Sequence, residues 1–532
     1  MIKKYILSVA SLALMMGMSS CVNDLDVTPI DPSSTMEPDE PSLYAKCYAN
    51  MALAGQGGAN GDCDIDGLDG GTTGYVRQLF NANELTTDES VCAWGDTGIP
   101  GFNTNTWDAS HPMLRGFYYR LFAGINYCNH YLDVCSGIDE ARTAEVRFLR
   151  ALNYYFLMDL FGNPPFTLEL SATSPEQISR ADLFAWLETE LKEIQPSLLS
   201  PRAATSSTEG YGRVDQDGVN LLLARMYLNA EVYTGTARWN DAKTYAEAVI
   251  NGPHKLWTTN TNGWSAYQML FMGDNGESGA SVEAILPLLQ DGVTTTSWGT
   301  SLFLMASTWK ADMDVDSNYG TTEFWAGNRA RKALLDKFFP TSDAPNVTIA
   351  EMVAQAGDDR ALFYGKDRTL TVDATTEYTN GFAVGKFRNT YAAGGSPHHS
   401  QFVDMDYFLM RSAEAYLIAA EADARLNGGT TSATGASYIN QLRTRAHCTT
   451  LSSSYSTDDI LDERARELYY EGFRRTDLVR YGYFGGSKSG NYLWEWKGGV
   501  QTGTAFAEYR NIFALPDEDV NANPNLTQNT GY

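Results

Sequence analysis

Three tryptophans sit in surroundings that a hydrophobic core does not explain. Trp94 lies in "CAWGD", Trp298 in "TTSWGTS" and Trp325 in "TEFWAGN". Each is flanked by glycine, threonine or acidic residues, whereas a core tryptophan usually falls within a periodic apolar run. Indole presents a flat apolar face and a single N–H donor. A sugar ring has a C–H face and a hydroxyl rim, so these side chains are candidates for stacking on glycan, with polar neighbours reading the rim. Acidic groups suggest a second chemistry. "DCDIDG" sets Asp62, Asp64, Asp66 and Gly67 as the first half of a calcium loop, but the twelfth position, which calls for Glu, holds Thr73. Asp274, Asn275 and Glu277 form another oxygen-rich group. The segment "EGFRRTDLVRYG" (471–482) concentrates Arg474, Arg475 and Arg480 beside Glu471 and Asp477, and helical spacing predicts internal pairing rather than an anion site. No GxSxG, P-loop or HExxH motif occurs, and nothing marks a carboxylate pair for glycoside hydrolysis. An enzyme is therefore not expected.

The chain opens with Lys3 and Lys4, an apolar run over 5–18, small Ser19 and Ser20, and then Cys21. The run is too short for a stable membrane span and has the layout of a secretory signal over residues 1–20. A cysteine at the cleavage point resembles a bacterial lipobox, with Met18 at its leading position. The mature chain, 21–532, is then lipidated at Cys21, and several acyl chains anchor far more firmly than one, at about 0.8 kcal/mol per buried methylene. The chain carries 39 basic and 65 acidic residues, a net charge of −26, which argues against nucleic acid or anionic lipid as a partner. The six cysteines beyond Cys21 show no CxxC pair and no histidine at metal spacing, so no zinc site is expected from them. They are expected to be mostly free and buried.

The elements that must hold these side chains read as helices. In "EVRFLRALNYYFLMDLFG" (145–162), Val146, Leu149, Leu152, Phe156 and Leu160 recur at helical steps, closed by Gly162 and Pro164. Further helices are predicted over 111–135, 181–199, 216–233, 238–250, 411–429 and 436–447, the last pairing back on 411–429. Ala242 and Ala246 mark tight contacts. Helix pairs with alanine at close approaches resemble degenerate tetratricopeptide repeats, which stack into a solenoid. Two stretches, around 57–108 and 253–330, are rich in Gly, Thr, Asn and Ser and weakly periodic. All three tryptophans fall in them, so the long irregular insertions are expected to carry the site.

Four blocks in this order, "RFLRALNYYFLMDLFGNPPF" (147–166), "LMRSAEAYLIAAEA" (409–422), "YINQLRTRAH" (438–447) and "ERARELYYEGFRRTDLVRYG" (463–482), resemble the RagB/SusD family of Bacteroides outer-membrane lipoproteins. "CVNDLDVTPIDP", "FNANELTTDE" (80–89), "AILPLLQDGV" (284–293) and "YLWEWKGG" (492–499) extend the likeness to the starch-binding member of that family. The resemblance implies an all-α fold, a tetratricopeptide scaffold with loop insertions forming one glycan-binding domain over 21–532. It implies a cell-surface protein on the outer membrane that binds starch and maltooligosaccharides and hands them to a TonB-dependent, SusC-like transporter. No cofactor is required, and a structural Ca2+ near Asp274 is implied without its ligands. Trp94, Trp298 and Trp325 match an aromatic arc, with Trp298 at the middle position, where the starch-binding member has tyrosine. Arg77 matches a donor to sugar hydroxyls and Asp69 an acceptor. An asparagine after the first aromatic falls at Asp96 or Thr97, neither of which preserves it. A fructan or host glycan on the same scaffold, and more remotely a glycoside hydrolase, are the alternatives.

Overall fold

The computed structural model describes residues 38–61, 63–313 and 319–532; Cys21 and the rest of the leader lie outside the described residues. It divides into Met1–Leu43, of which the described part opens the helix Glu40–Ala52, and Tyr44–Tyr532, which carries everything below. The scaffold consists of eight helices, labelled here α1 (Pro112–Val134), α2 (Glu140–Phe161), α3 (Arg180–Ile194), α4 (Gln216–Leu228), α5 (Trp239–Asn251), α6 (Ser412–Leu426), α7 (Ala433–Arg445) and α8 (Thr457–Leu468). Side-chain caps define several of their starts. Asp139 accepts from Arg142 N at 3.0 Å, which lengthens α2 five residues beyond the apolar pattern, and Ser456 and Asp459 cap α8 reciprocally. The predicted helix 216–233 is two: Asn229 interrupts it, donating to Arg225 O at 2.9 Å and accepting from Arg480 at 2.8 Å.

Neighbouring helices stack in series, α1 on α2, α2 on α3, α4 on α5, and α6 on both α7 and α8. The most extensive pairing is α5 with α6, although about 160 residues separate them in the chain. Ala242 and Ala246 on α5, and Ala415, Ala419 and Ala422 on α6, are fully buried; without side-chain bulk, two helices can pack closely. The whole of 252–411 is therefore an insertion between consecutive scaffold helices, longer than the irregular stretch 253–330. Strands are few, short and antiparallel: Ser90–Cys92 with Asn328–Ala330, and Ala284–Leu288 with Tyr407–Arg411, among others. No described helix is long and apolar enough to cross a membrane. Of the six described cysteines, Cys47, Cys92, Cys128 and Cys135 are buried.

A buried ion network fastens the insertion to the scaffold. Arg411, just before α6, donates to Glu283 and Glu467 at 2.8 Å each and to Glu471 at 2.7 Å. Arg445 on α7 pairs with Glu283 and Glu467. Arg360 pairs with Asp358, Glu463 and Glu467, and Lys386 with Glu471 at 2.6 Å. Glu283, Arg360 and Lys386 belong to the insertion; Glu463 and Glu467 belong to α8. The arginine-rich segment near 474 also pairs internally, but not mainly with its own neighbours. Arg474 forks onto Asp88 at 2.8 Å on both branches, Arg480 onto Glu421 and Asp477, and Arg475 donates to Asn511 O. The helical-spacing reading holds for Arg480 and Asp477 alone; the remaining partners come from tertiary contacts that no local pattern reveals.

Burial opposes the charge on Glu467, but Arg445, Arg411 and Arg360 outweigh it and hold its carboxyl at about 2, below the ordinary 4.5. A carboxyl whose pKa is lower in the folded state than in the unfolded state stabilises the fold above about 4.5, and that contribution disappears as pH falls towards 2. Glu467→Gln removes the charge facing three buried arginines and is expected to cost about 3–5 kcal/mol. Denaturant melts should show that loss at neutral pH and a smaller difference from the parent protein near pH 2.

Candidate glycan-binding site

Two insertions meet along one short ladder. Ser90–Cys92 runs antiparallel to Asn328–Ala330, with Ser90 opposite Ala330 and Cys92 opposite Asn328. Arg329, fully buried, braces the turn by donating to Gly327 O, Asn380 O, Thr375 O and Glu377 O. Just past the ladder, Ala93 N donates to Gly327 O at 3.0 Å, so Trp94 lands on Gly327. A Cβ at 327 would lie 2.3 Å from the Trp94 ring, and only glycine leaves the indole room. Trp325 is placed by the buried C-terminal end of helix Ser301–Ala306, whose last carbonyls lack partners within the helix. Trp325 N donates to Ala306 O, Ala326 N to Trp309 O, and Gly327 N and Asn328 N to Ser307 O, all at 2.7–2.8 Å. This docking holds Ala326 at φ +50°, a left-handed conformation that costs an L-residue roughly 1–2 kcal/mol. Trp298 is tied to the earlier insertion through its Nε1, which donates to Ala59 O at 3.0 Å.

The three indoles form a continuous row. Trp94 and Trp325 have centroids 6.4 Å apart at 52°, and Trp325 and Trp298 are 6.1 Å apart at 50°. Trp325 touches both others and is therefore the central ring; the sequence reading placed Trp298 there. The order in space follows how the loops dock, and chain order does not set it. All three are half-buried. Trp298 rests on Phe402 at 5.0 Å and Trp94 on Phe303 at 6.2 Å. Every indole N–H is already used: Trp94 donates to Trp325 O at 2.9 Å, Trp325 to Glu323 at 2.7 Å, and Trp298 to Ala59 O. The rings are thus fixed in orientation and offer faces; hydroxyl recognition falls to other groups.

Arg77 supplies donors at the Trp94 end. It sits on helix Tyr75–Asn83, anchored by its own N–H to Gly299 O at 3.0 Å, and its guanidinium lies 5.4 Å from the Trp94 ring and 5.3 Å from Phe303. Its buried Nε has no hydrogen-bond partner among the described residues. Burial lowers its pKa, opposed chiefly by the Asp69 carboxylate, with Asp96 adding to it, so both acids flank the cation. Asp69 is exposed and accepts from Thr72 N at 3.0 Å and Thr72 Oγ1 at 2.6 Å. Burial would raise its pKa, but those bonds and Arg77 hold it below the ordinary carboxylate range. Asp96 and Thr97 lie exposed in the turn before helix Ile99–Thr104. The structure thus brings Trp94, Trp325, Trp298 and Arg77 together, with Asp69 and Asp96 beside Arg77 and Thr97 following Asp96 in the exposed turn. Sequence reasoning missed Phe402, Gln401 and Glu323, which carboxylate-bridges Trp325 Nε1 to Gln401 Nε2, both at 2.7 Å. Glu323 stands two residues before Trp325 and was legible in principle; Gln401 and Phe402 arrive from beyond the expected insertion.

The acidic groups divide. Asp62 lies outside the described residues, Asp64 pairs with Arg120 at 3.5 Å, and Asp66 is exposed. Asp274 accepts from Ala392 N and Ala393 N, and the Asn275 amide spans Leu270 O and Asp406. Beside them, Glu277, Asp404 and Asp406 line a cavity of about 390 Å³. Burial, with Glu277 and Asp404 adding, pushes the Asp406 carboxyl up to about 7. His398 also lines the cavity, its Nδ1 3.0 Å from Asp404, but most of the lining is carboxylate and hydroxyl oxygen, and crowded negative charge of that kind suits a hard cation such as Ca2+.

Comparison with known proteins follows the same lines. A sequence profile described as the SusD family matches residues 223–532. The chain is 39% identical over 570 aligned positions to the starch-binding protein SusD of Bacteroides thetaiotaomicron, covering 99% of each chain. It is 24% identical to SusD-like protein P25 of Formosa agariphila, covering 68% of this chain and 69% of that one. Among solved structures, surface glycan-binding protein A from Bacteroides uniformis superposes with a TM-score of 0.65 at 21% identity, covering 92% of this chain and 98% of its own. Surface glycan-binding protein A from Bacteroides thetaiotaomicron in complex with laminarihexaose gives 0.63 at 19%, with the same coverage. The profile covers more than half of the chain and the starch-binding relative nearly all of it, and the chain belongs to the SusD family.

Proposed function

We propose that this protein captures starch-like α-1,4-glucans at the cell surface on the Trp94–Trp325–Trp298 row. One observation carries the reading: three adjacent indoles, each tilted about 50° from the next, present a run of apolar faces rather than one flat surface. The starch-binding relative at 39% identity favours α-glucan over a fructan or host glycan. Arg77 donates to hydroxyls near Trp94, Asp69 accepts from them, and Asp96 and Thr97 supply further polar contacts where the family pattern has asparagine. The chemistry is recognition, with no bond broken. Affinity per site is modest, because sugar hydroxyls exchange water for protein at little net gain. Cys21 tethers the chain to the outer membrane by its lipid, facing outward, and the captured glycan passes to a TonB-dependent, SusC-like transporter. The cavity lined by Glu277, Asp404 and Asp406 holds a structural Ca2+ on carboxylate oxygens.

In native gels containing amylopectin, the parent protein should be retarded and Trp325→Ala should run freely. Losing the central ring should cost about 2 kcal/mol, roughly thirtyfold in Kd. An unretarded parent protein would move the ligand to another glycan. In cells, Cys21→Ala should shift the protein from the detergent phase to the aqueous phase of a Triton X-114 extraction; an unchanged distribution would remove the lipid anchor from the account. Ca2+ should raise the melting temperature of chelator-treated protein, and Asp406→Asn should abolish that rise. A melting temperature indifferent to Ca2+ would count against the cation.

A further inference from the structure

Far along the chain from the tryptophan row, a buried cluster joins the start of α4 to the segment after α5. Asp215 caps α4, its Oδ1 accepting from Asp217 N at 2.9 Å. Its Oδ2 accepts from Arg202 N at 3.0 Å and faces His254 Nε2 at 3.0 Å. The sensible tautomer of His254 therefore carries its proton on Nε2, donated to Asp215, which leaves a lone pair on Nδ1. That Nδ1 has no partner among the described residues. Asp217 accepts from Asn220 Nδ2 at 3.0 Å through Oδ1, while its Oδ2 is likewise without a partner. Asp215, Asp217 and His254 are exposed by only 3%, 1% and 3%. Two buried acceptors left open in one cluster are a costly arrangement unless something else completes them.

The geometry says what would complete them. One ligand atom from each of Asp215, Asp217 and His254 can be chosen so that all lie within 4.8 Å of one another. The free oxygen of Asp217 faces the segment that carries His254: a Cβ at Gly252 would lie 2.8 Å from it. An imidazole with a lone pair, oriented from behind by a carboxylate, is a common arrangement for a histidine that binds metal. One nitrogen and carboxylate oxygens suit a borderline divalent cation such as Zn2+ better than Ca2+, which takes oxygen alone.

We propose that Asp217, His254 and Asp215 form a structural site for one Zn2+-like divalent cation, binding through His254 Nδ1 and Asp217 Oδ2 with Asp215 orienting the imidazole. Its effect is to pin the start of α4 to the end of α5. The cysteine and histidine spacing in the sequence gives no sign of it, because the ligands come from Asp-x-Asp and a histidine 37 positions on.

The test uses untagged protein freed of metal, titrated calorimetrically with Zn2+ while Ca2+ is kept in excess. One Zn2+ per chain should bind, with a rise in melting temperature that EDTA reverses. His254→Gln and Asp217→Asn should each weaken binding at least a hundredfold and abolish the rise, with amylopectin retardation unchanged. His398 and His399 are exposed and adjacent, so zinc bound equally by parent and variants would belong to the surface and would overturn the proposal. Failure of the parent to bind Zn2+ would overturn it as well. If neither variant folds, zinc-edge absorption of the parent complex decides. A single imidazole with oxygen ligands supports the site, and two or more imidazoles contradict it.

Discussion

The glycan row depends on a buried ionic clamp. About 160 residues leave the solenoid after α5 and return at α6, and the two helices pack as if nothing lay between them. Arg411 stands at the point of return. Its guanidinium joins Glu283, just before the strand Ala284–Leu288 inside the insertion, to Glu467 and Glu471 on and just beyond α8. Arg360 and Lys386 repeat the link from further along the insertion. Buried ion pairs add little net stability over an apolar core, but removing one partner is severe. A clamp of this kind specifies one docking of insertion on scaffold and penalises every other. Trp298 and Trp325 belong to the clamped segment. Trp94 belongs to the other insertion, which has its own buried fastening through Asp88 and Arg474.

From that frame, each tryptophan is locked by backbone. The ladder of Ser90–Cys92 on Asn328–Ala330 sets Trp94 beside Trp325, and the carbonyls ending helix Ser301–Ala306 set Trp325 itself. Because the indole N–H groups are all used internally, the rings do not need to reorient when glycan arrives. Preorganised faces reduce the entropy cost of binding, which matters for a ligand whose hydroxyls gain little by leaving water. Ala326 bears the backbone strain of this arrangement.

The sequence carried the scaffold more clearly than the site. Helical periodicity located α1, α2, α6 and α7 because their apolar faces repeat every three to four residues, and Ala242 and Ala246 marked the tightest packing correctly. It did not show that α5 stacks on α6, since nothing local encodes a contact across so long an insertion. The tryptophans were legible because aromatic residues in glycine-rich, polar surroundings are unusual. Their order was not, and Trp325 took the centre assigned to Trp298. The partners Gln401 and Phe402 come from a stretch without distinctive composition. The Arg474 and Arg475 partners were hidden for the same reason: Asp88 and Asn511 are neighbours only once the chain has folded.

The central claim is that a preformed row of mutually tilted tryptophan faces selects an α-1,4-glucan by shape. Isothermal titration of the parent protein with a cyclic α-1,4-glucan, its linear counterpart of equal length and a linear β-1,3-glucan tests it most directly. The account predicts binding of both α-glucans, with the cyclic one at least as tight because its curvature is paid for in advance, and no binding of the β-glucan. Equal binding of all three, or binding of the β-glucan alone, would contradict it.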